Sequence, residues 1–363
     1  MIDATLLPGV PAPFWFVEFF KVVGFFLHLI PMGIWFAGLP IAVICALRNT
    51  QYSRRYANQM FGQFPILMAL GINFGIVPLL FLQTTYYKNF YTATILSAWH
   101  WIAVIPVLII GYYALYIAAY GRKKDGFSVK TIIAGIIAAV SLTVIGILLT
   151  NGLTLMVRSD LWAGLMEKYN VHGATLGLGN NMSDPAVWIR FAAMFALALM
   201  TTAVWTQFLP LFSSEPDSGK LYRRWCNGLS AGLAIISFAV LCGIEGMIKQ
   251  PSAAEHIRIM YPYFGIVLLF VFISAILFIA SIWKPVWGYG AAAAHILTLV
   301  SFAVTRQIGQ NNGVSQYVDV SKMPLDVQWS PLIAFLVIFV LGLVVIAWMV
   351  KQVICPQAGN GKN

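Results

Sequence analysis

The chain of 363 residues is 60% hydrophobic and only 9% charged, with a mean hydropathy of +0.83. Soluble proteins carry roughly a quarter charged residues, so this composition excludes a soluble globular domain and implies a polytopic membrane protein. The net charge of +10 is no nucleic-acid footprint, because the surplus basic residues fall in alternate loops.

Nine runs are long enough to cross a bilayer: about 19–47, 62–86, 96–120, 130–156, 186–212, 226–247, 260–283, 286–306 and 331–354. None alternates apolar and polar residues, so the expectation is an all-α bundle of nine transmembrane helices forming one domain over 1–363. Residues 1–18, with Pro8, Pro11 and Pro13, read as an extended outer segment ending in interfacial aromatics. Span one carries a lone histidine, His28, with Gly24 four residues earlier on the same helical face, leaving room for something bulky. Span two contains Pro65 and Pro78 and ends in an aromatic stretch, 83–91. Span three opens on Trp99-His100-Trp101, and Asn151-Gly152 marks the end of span four.

An outer loop, 157–185, closes on Asp184-Pro185, which predicts a helix N-cap followed by proline at the first helical position. Span six ends near Glu245. Span eight sets Ala291 to Ala294 directly before His295 and ends at Arg306-Gln307. A second outer loop, 307–330, leads to the last helix, and 356–363 reads as a frayed tail. Cys45, Cys226, Cys242 and Cys355 imply no disulfide framework, and no C-x-x-C-H marks a covalently attached haem.

With the N-terminus placed outside, the inner segments 48–61, 121–130, 213–225, 284–285 and 351–363 hold most of the 22 basic residues, against the acids Asp125, Glu215 and Asp217. The positive-inside rule therefore predicts a periplasmic N-terminus and a cytoplasmic C-terminus, with the chain in a bacterial cytoplasmic (inner) membrane.

Ionisable groups at membrane depth are functional candidates, because lipid offers them no partner. His28 lies roughly 13 Å from the outer end of its span, His100 about 6 Å and His295 about 16 Å, all in the outer half. Arg190, Glu245 and Arg306 sit at the same end. Haem fits such a set: imidazole ligates iron, small residues admit the macrocycle, and arginines pair with propionates. The plainer alternative stays open for each residue. A buried histidine often bonds a neighbouring helix, an alanine tract often packs one, and the charges could be interfacial anchors. His172 and His256 read as ordinary solvated residues of outer loops.

Short motifs then carry a resemblance. Gly71-Ile72-Asn73-Phe74 on span two resembles the G-I-N-F of subunit I of the cytochrome bd quinol oxidases. Asn151-Gly152, Pro185 through Arg190-Phe191, Arg306-Gln307, and His28 followed by Pro31 and Gly33 resemble further landmarks of that family. The resemblance implies nine helices with the N-terminus outside and a haem histidine at His28. Three positions and one loop depart from it. Ala193 stands where the family has a low-spin haem histidine, and Trp99-His100 where it has a glutamate. Ile308 replaces a methionine, and the quinol-binding loop shrinks to about 248–259. These departures disfavour a full three-haem oxygen-reducing site.

What remains resembles the divergent bd-like subunits that sit beside periplasmic c-type cytochromes, and that resemblance implies a membrane electron-transfer subunit of a bacterial respiratory complex. It would bind haem b or quinol near the periplasmic face and work with other membrane subunits and a periplasmic c-type cytochrome. His28 is the first candidate iron ligand. His100 and His295 follow as second ligands or quinol partners, Arg190 and Arg306 neutralise propionates, and Glu245 accepts a proton from quinol. The rival expectations are a cofactor-free scaffold for a cytochrome and a secondary transporter. Nine spans do not divide into inverted halves, which argues against the transporter.

Overall fold

The computed structural model describes residues 9–123, 126–212, 219–250, 258 and 261–354. His256, Cys355 and the tail 356–363 lie outside the described residues. The chain is an all-α polytopic helix bundle. Eight of its helices are long and apolar enough to cross a membrane: α1 (Phe14–Arg48), α2 (Gln51–Thr85), α4 (Ala98–Tyr120), α5 (Val129–Val157), α7 (Pro185–Phe208), α8 (Gly219–Ile248), α9 (Tyr261–Ser281) and α10 (Trp287–Ser315). The ninth expected run becomes α11 (Trp329–Ile354), whose described apolar stretch, Trp329–Val345, is shorter. Two short helices, α3 (Tyr87–Leu96) and α6 (Trp162–Lys168), cap one end of the bundle.

Helix α1 is the axis. Its most apolar stretch is 72% buried against 22% for that of α2, and it packs on α2, α5, α7 and α10. Lipid tails are as apolar as leucine, so close approach and interhelical hydrogen bonds hold such a bundle, each bond contributing about 0.6 kcal/mol. Thr202 Oγ1 donates to Gly33 O at 3.0 Å, tying α7 to α1. Ser237 Oγ donates to Ala196 O at 2.6 Å between α8 and α7, and Ser274 Oγ to Ala291 O at 2.9 Å between α9 and α10. The alanine tract before His295 is thus a helix-packing face.

Four connections differ from the sequence expectation. The expected loop 48–61 shrinks to Asn49-Thr50. Asn49 takes the left-handed conformation, φ 48°, and the Thr50 N–H donates to Ser53 Oγ at 2.9 Å, satisfying the first turn of α2. The aromatic stretch after α2 is itself helical, because Tyr86 breaks the chain direction once and α3 starts at Tyr87. Within 157–185 lie α6 and a two-stranded hairpin, β1 (Asn170–Val171) and β2 (Ala174–Thr175), paired antiparallel with Asn170 opposite Thr175. Its turn needs positive φ at His172 and Gly173. Helix α10 does not stop at Arg306 but runs to Ser315. Beyond Arg306 the Gln307 and Asn311 amides donate inside the bundle, and Gly313 lets Val157 approach to 2.9 Å of where a Cβ would stand.

The predicted cap is realised. Asp184 Oδ1 accepts from the Ala186 N–H at 2.8 Å, and its other oxygen is ion-paired with Arg158. At the same end Val10 lies along the segment before α11, with Val10 N to Pro324 O at 2.8 Å and Asp326 N to Val10 O at 3.0 Å.

Candidate functional site

Alternating spans bring the start of α1, the end of α2, the end of α5, the start of α7 and the end of α10 to one end of the bundle. His28 lies on α1 fourteen residues from its start, about 21 Å along the axis. Its ring is half-buried against α2. Nδ1 sits 2.7 Å from Gly71 O, and a carbonyl can only accept, so Nδ1 carries the proton and donates. Nε2 keeps its lone pair, and no protein hydrogen bond to it is present among the described residues. A ligating histidine is commonly set this way, its second nitrogen fixed by a backbone carbonyl. The ring fits because residue 75 is glycine: a Cβ there would stand 2.9 Å from both Nδ1 and Cε1. The free space expected beside Gly24 is filled by Pro78, whose Cδ lies 2.9 Å from where a Cβ of residue 24 would be.

Arg306 lies over the Phe25 ring at 4.1 Å from its centroid, one turn from His28 on α1. It is within electrostatic reach of His28 and of Arg190. Arg190 Nη1 donates to Thr154 Oγ1 at 3.3 Å. Among the described residues neither guanidinium has a carboxylate bonded to it. Arg190 feels the Asp184 carboxylate, one helical turn and more away, whereas among the described residues no acid acts on Arg306. A half-buried cation is costly in a bilayer, and an anionic ligand between the two would lower that cost. The donor set therefore fits a haem: an imidazole with a free Nε2, and two guanidiniums in reach of propionates.

The other candidates lie apart. His295 is buried, and its Nε2 sits 2.9 Å from Thr201 Oγ1. Thr201 donates to Leu197 O at 2.9 Å, so it accepts from His295, whose Nδ1 is left without a partner. Thr201 in turn abuts Gly33, five residues beyond His28. That places His295 near mid-bundle, roughly 7.5 Å deeper than His28 and not in the outer half. The displacement follows from the extension of α10 beyond Arg306. His100 stands at the start of α4, a helix that packs on α2 and α5, with its Nδ1 buried and unpaired among the described residues. Glu245 ends α8 in an ion pair with Lys249 at 3.2 Å, on a helix that packs against α7 and α9.

A second polar cluster escaped the reading of the sequence. Glu18 and Lys21 form an ion pair at the start of α1. Lys21 Nζ donates to Tyr86 Oη at 2.8 Å, and Gln307 Nε2 donates to the same oxygen at 2.9 Å. Tyr86 donates to Asn311 Oδ1, and Asn311 Nδ2 donates to Glu18 Oε2 at 2.9 Å. The one legible signal was a lysine just inside an apolar run. Glu18 is three residues from it, but Tyr86 lies 65 residues on, and Gln307 a further 221 beyond Tyr86.

The fold has a known counterpart. A chain in the structure of bd oxidase from Geobacillus thermodenitrificans superposes with a TM-score of 0.69, over 96% of this chain and 100% of that one, at 11% sequence identity. The two chains share a fold. No protein-family model and no curated protein sequence matches this chain.

Proposed function

We propose that this chain is a membrane-embedded electron-transfer subunit of a bacterial respiratory complex, binding haem b at His28. One observation carries the reading: His28 Nδ1–H is anchored on Gly71 O, leaving Nε2 without a hydrogen bond among the described residues, and Arg306 lies within electrostatic reach of the ring. Similarity of fold to a bd oxidase chain supports it. When bound, haem b supplies a one-electron carrier. His28 holds its iron, and Gly75 keeps the imidazole in place. Arg306 and Arg190 neutralise the propionates, and Phe25 fixes the Arg306 plane. His295, deeper in the bundle with Nδ1 unpaired, and His100, at the start of α4, are the candidates for a second ligand or for hydrogen bonds to a quinol. Glu245, at the end of α8, takes a quinol proton in this reading. The partners are further membrane subunits and a periplasmic c-type cytochrome.

The test is a reduced-minus-oxidised spectrum of the purified chain, with organic extraction for haem and quinone. A Soret difference with extractable haem b supports the proposal. A preparation carrying neither haem nor quinone overturns it in favour of a cofactor-free scaffold.

A further inference from the structure

The end of the bundle opposite α3 and α6 carries cations and, among the described residues, no acid. Every described acidic residue lies at the other end, whereas Arg48, Arg122, Lys123 and Lys130 stand exposed at this one. None of the four has an acidic partner among the described residues. Lys124-Asp125, outside the described residues, adds no net charge.

One small frame gathers the four. A second hairpin, Arg122–Lys123 paired antiparallel with Gly126–Phe127, joins α4 to α5. Arg122 Nη1 donates to Asn58 O at 3.3 Å, and Asn58 Nδ2 donates to Lys123 O at 3.1 Å, so the hairpin is clamped to α2. The guanidinium fills the space left by the missing side chain of Gly62. Phe127 sits edge-on to Phe61 at 5.7 Å. Thr131 Oγ1 donates to Gly121 O at 3.0 Å, holding the start of α5, and with it Lys130, against the end of α4. Asn49, next to Arg48, reaches within 3.7 Å of where a Cβ of Gly126 would stand. A frame fixed in advance lowers the ordering cost of binding a ligand.

From the hairpin each helix leads one apolar stripe away along its outside. On α4 the stripe is Tyr113, Ile117 and Tyr120, spaced by four and three residues, with Tyr120 82% exposed beside the cations. On α5 it is Val129, Ile133, Ile137 and Val140, with Val129 73% exposed. Tyrosine with an apolar body and a polar tip suits the level of lipid headgroups. A soluble anion would use the cations and leave both stripes bare. The anion that uses cations and stripes together carries a phosphate and hydrocarbon tails.

We propose that the α4–α5 hairpin, with Arg48, Arg122, Lys123 and Lys130, is a binding site for the headgroup of an anionic phospholipid whose tails lie along the two stripes. The inference is independent of the haem reading.

The experiment is native mass spectrometry of the full-length purified chain, released from detergent after titration with phosphatidylglycerol or with phosphatidylcholine of the same tails. The wild type retains phosphatidylglycerol in preference. Lys123→Gln with Lys130→Gln weakens that retention roughly tenfold, and Lys123→Arg with Lys130→Arg restores it. Arg223→Gln with Arg224→Gln removes equally exposed charge from the start of α8, which lies at the same end because Arg55 of α2 covers the Tyr222 ring at 4.3 Å. That pair leaves retention unchanged. Equal losses in the two glutamine pairs would mean diffuse surface charge, and equal retention of the two lipids would mean no recognition of charge. Either result overturns the proposal. So does displacement of the lipid by millimolar inorganic phosphate, which would make this a site for a free anion.

Discussion

At the scale of single residues, His28 and its two glycine neighbours on α2 decide how the site is read. Gly71 matters for its carbonyl, which fixes the tautomer, and Gly75 for its missing side chain. Gly75→Ala would place a methyl 2.9 Å from the imidazole. Overpacking of this kind costs about 1–3 kcal/mol. The expected result is a lower Soret-to-protein ratio with unchanged helix content, read by absorbance and circular dichroism together. An unchanged ratio would mean the ring is not where the iron sits. His28 was legible in the sequence because an imidazole in an apolar run has nowhere to hide from lipid. Lys21, Tyr86 and Gln307 were not, because their value lies in meeting one another across α1, α2 and α10.

At the scale of elements, hydropathy located the spans well and their ends poorly. Ends are set by polar pairing that an apolar count cannot see. Asn49 turning with positive φ removed a loop, and Gln307 and Asn311 bonding inward extended α10 by more than two turns. The start of α7 was the exception, since Asp184-Pro185 announces a cap locally. Asp184→Ala should lower the thermal midpoint of the detergent-solubilised protein, with a loss of about 1–2 kcal/mol for the cap. The loss should exceed that of Asp160→Ala, because Asp184 also holds Arg158 against the start of α7, whereas the Asp160 side chain is 49% exposed. Equal midpoints for the two variants would show that the cap and the buried ion pair do not stabilise this end.

At the scale of the whole molecule, the architecture joins a tightly held centre to a loosely held last helix. Helix α11 meets the bundle through an aromatic ladder, Phe335 and Phe339 set edge-on to Phe20 at 5.2 and 5.4 Å, with Phe335 also edge-on to Phe81. Each such pair is worth roughly 0.5–1.5 kcal/mol. Phe335→Ala should therefore loosen α11 before the remaining helices, seen as faster amide exchange confined to 329–345. Uniform acceleration throughout the bundle would contradict this.

The charge pattern predicts one orientation for the assembly. In a chain whose own cysteines have been replaced, Ser321→Cys should react with a membrane-impermeant thiol reagent added outside. Lys123→Cys should react only after permeabilisation. The reverse pattern would invert the topology and put the proposed His28 site towards the inner face.

The central claim is that the His28 imidazole holds a haem iron. A pyridine haemochrome assay on the purified wild type and on His28→Ala, prepared side by side, tests it most directly. The account predicts a b-type spectrum in the wild type and at least a tenfold loss of haem per chain in the variant (about 1.4 kcal/mol or more of binding). Equal haem content in the two proteins, or none in either, would contradict it.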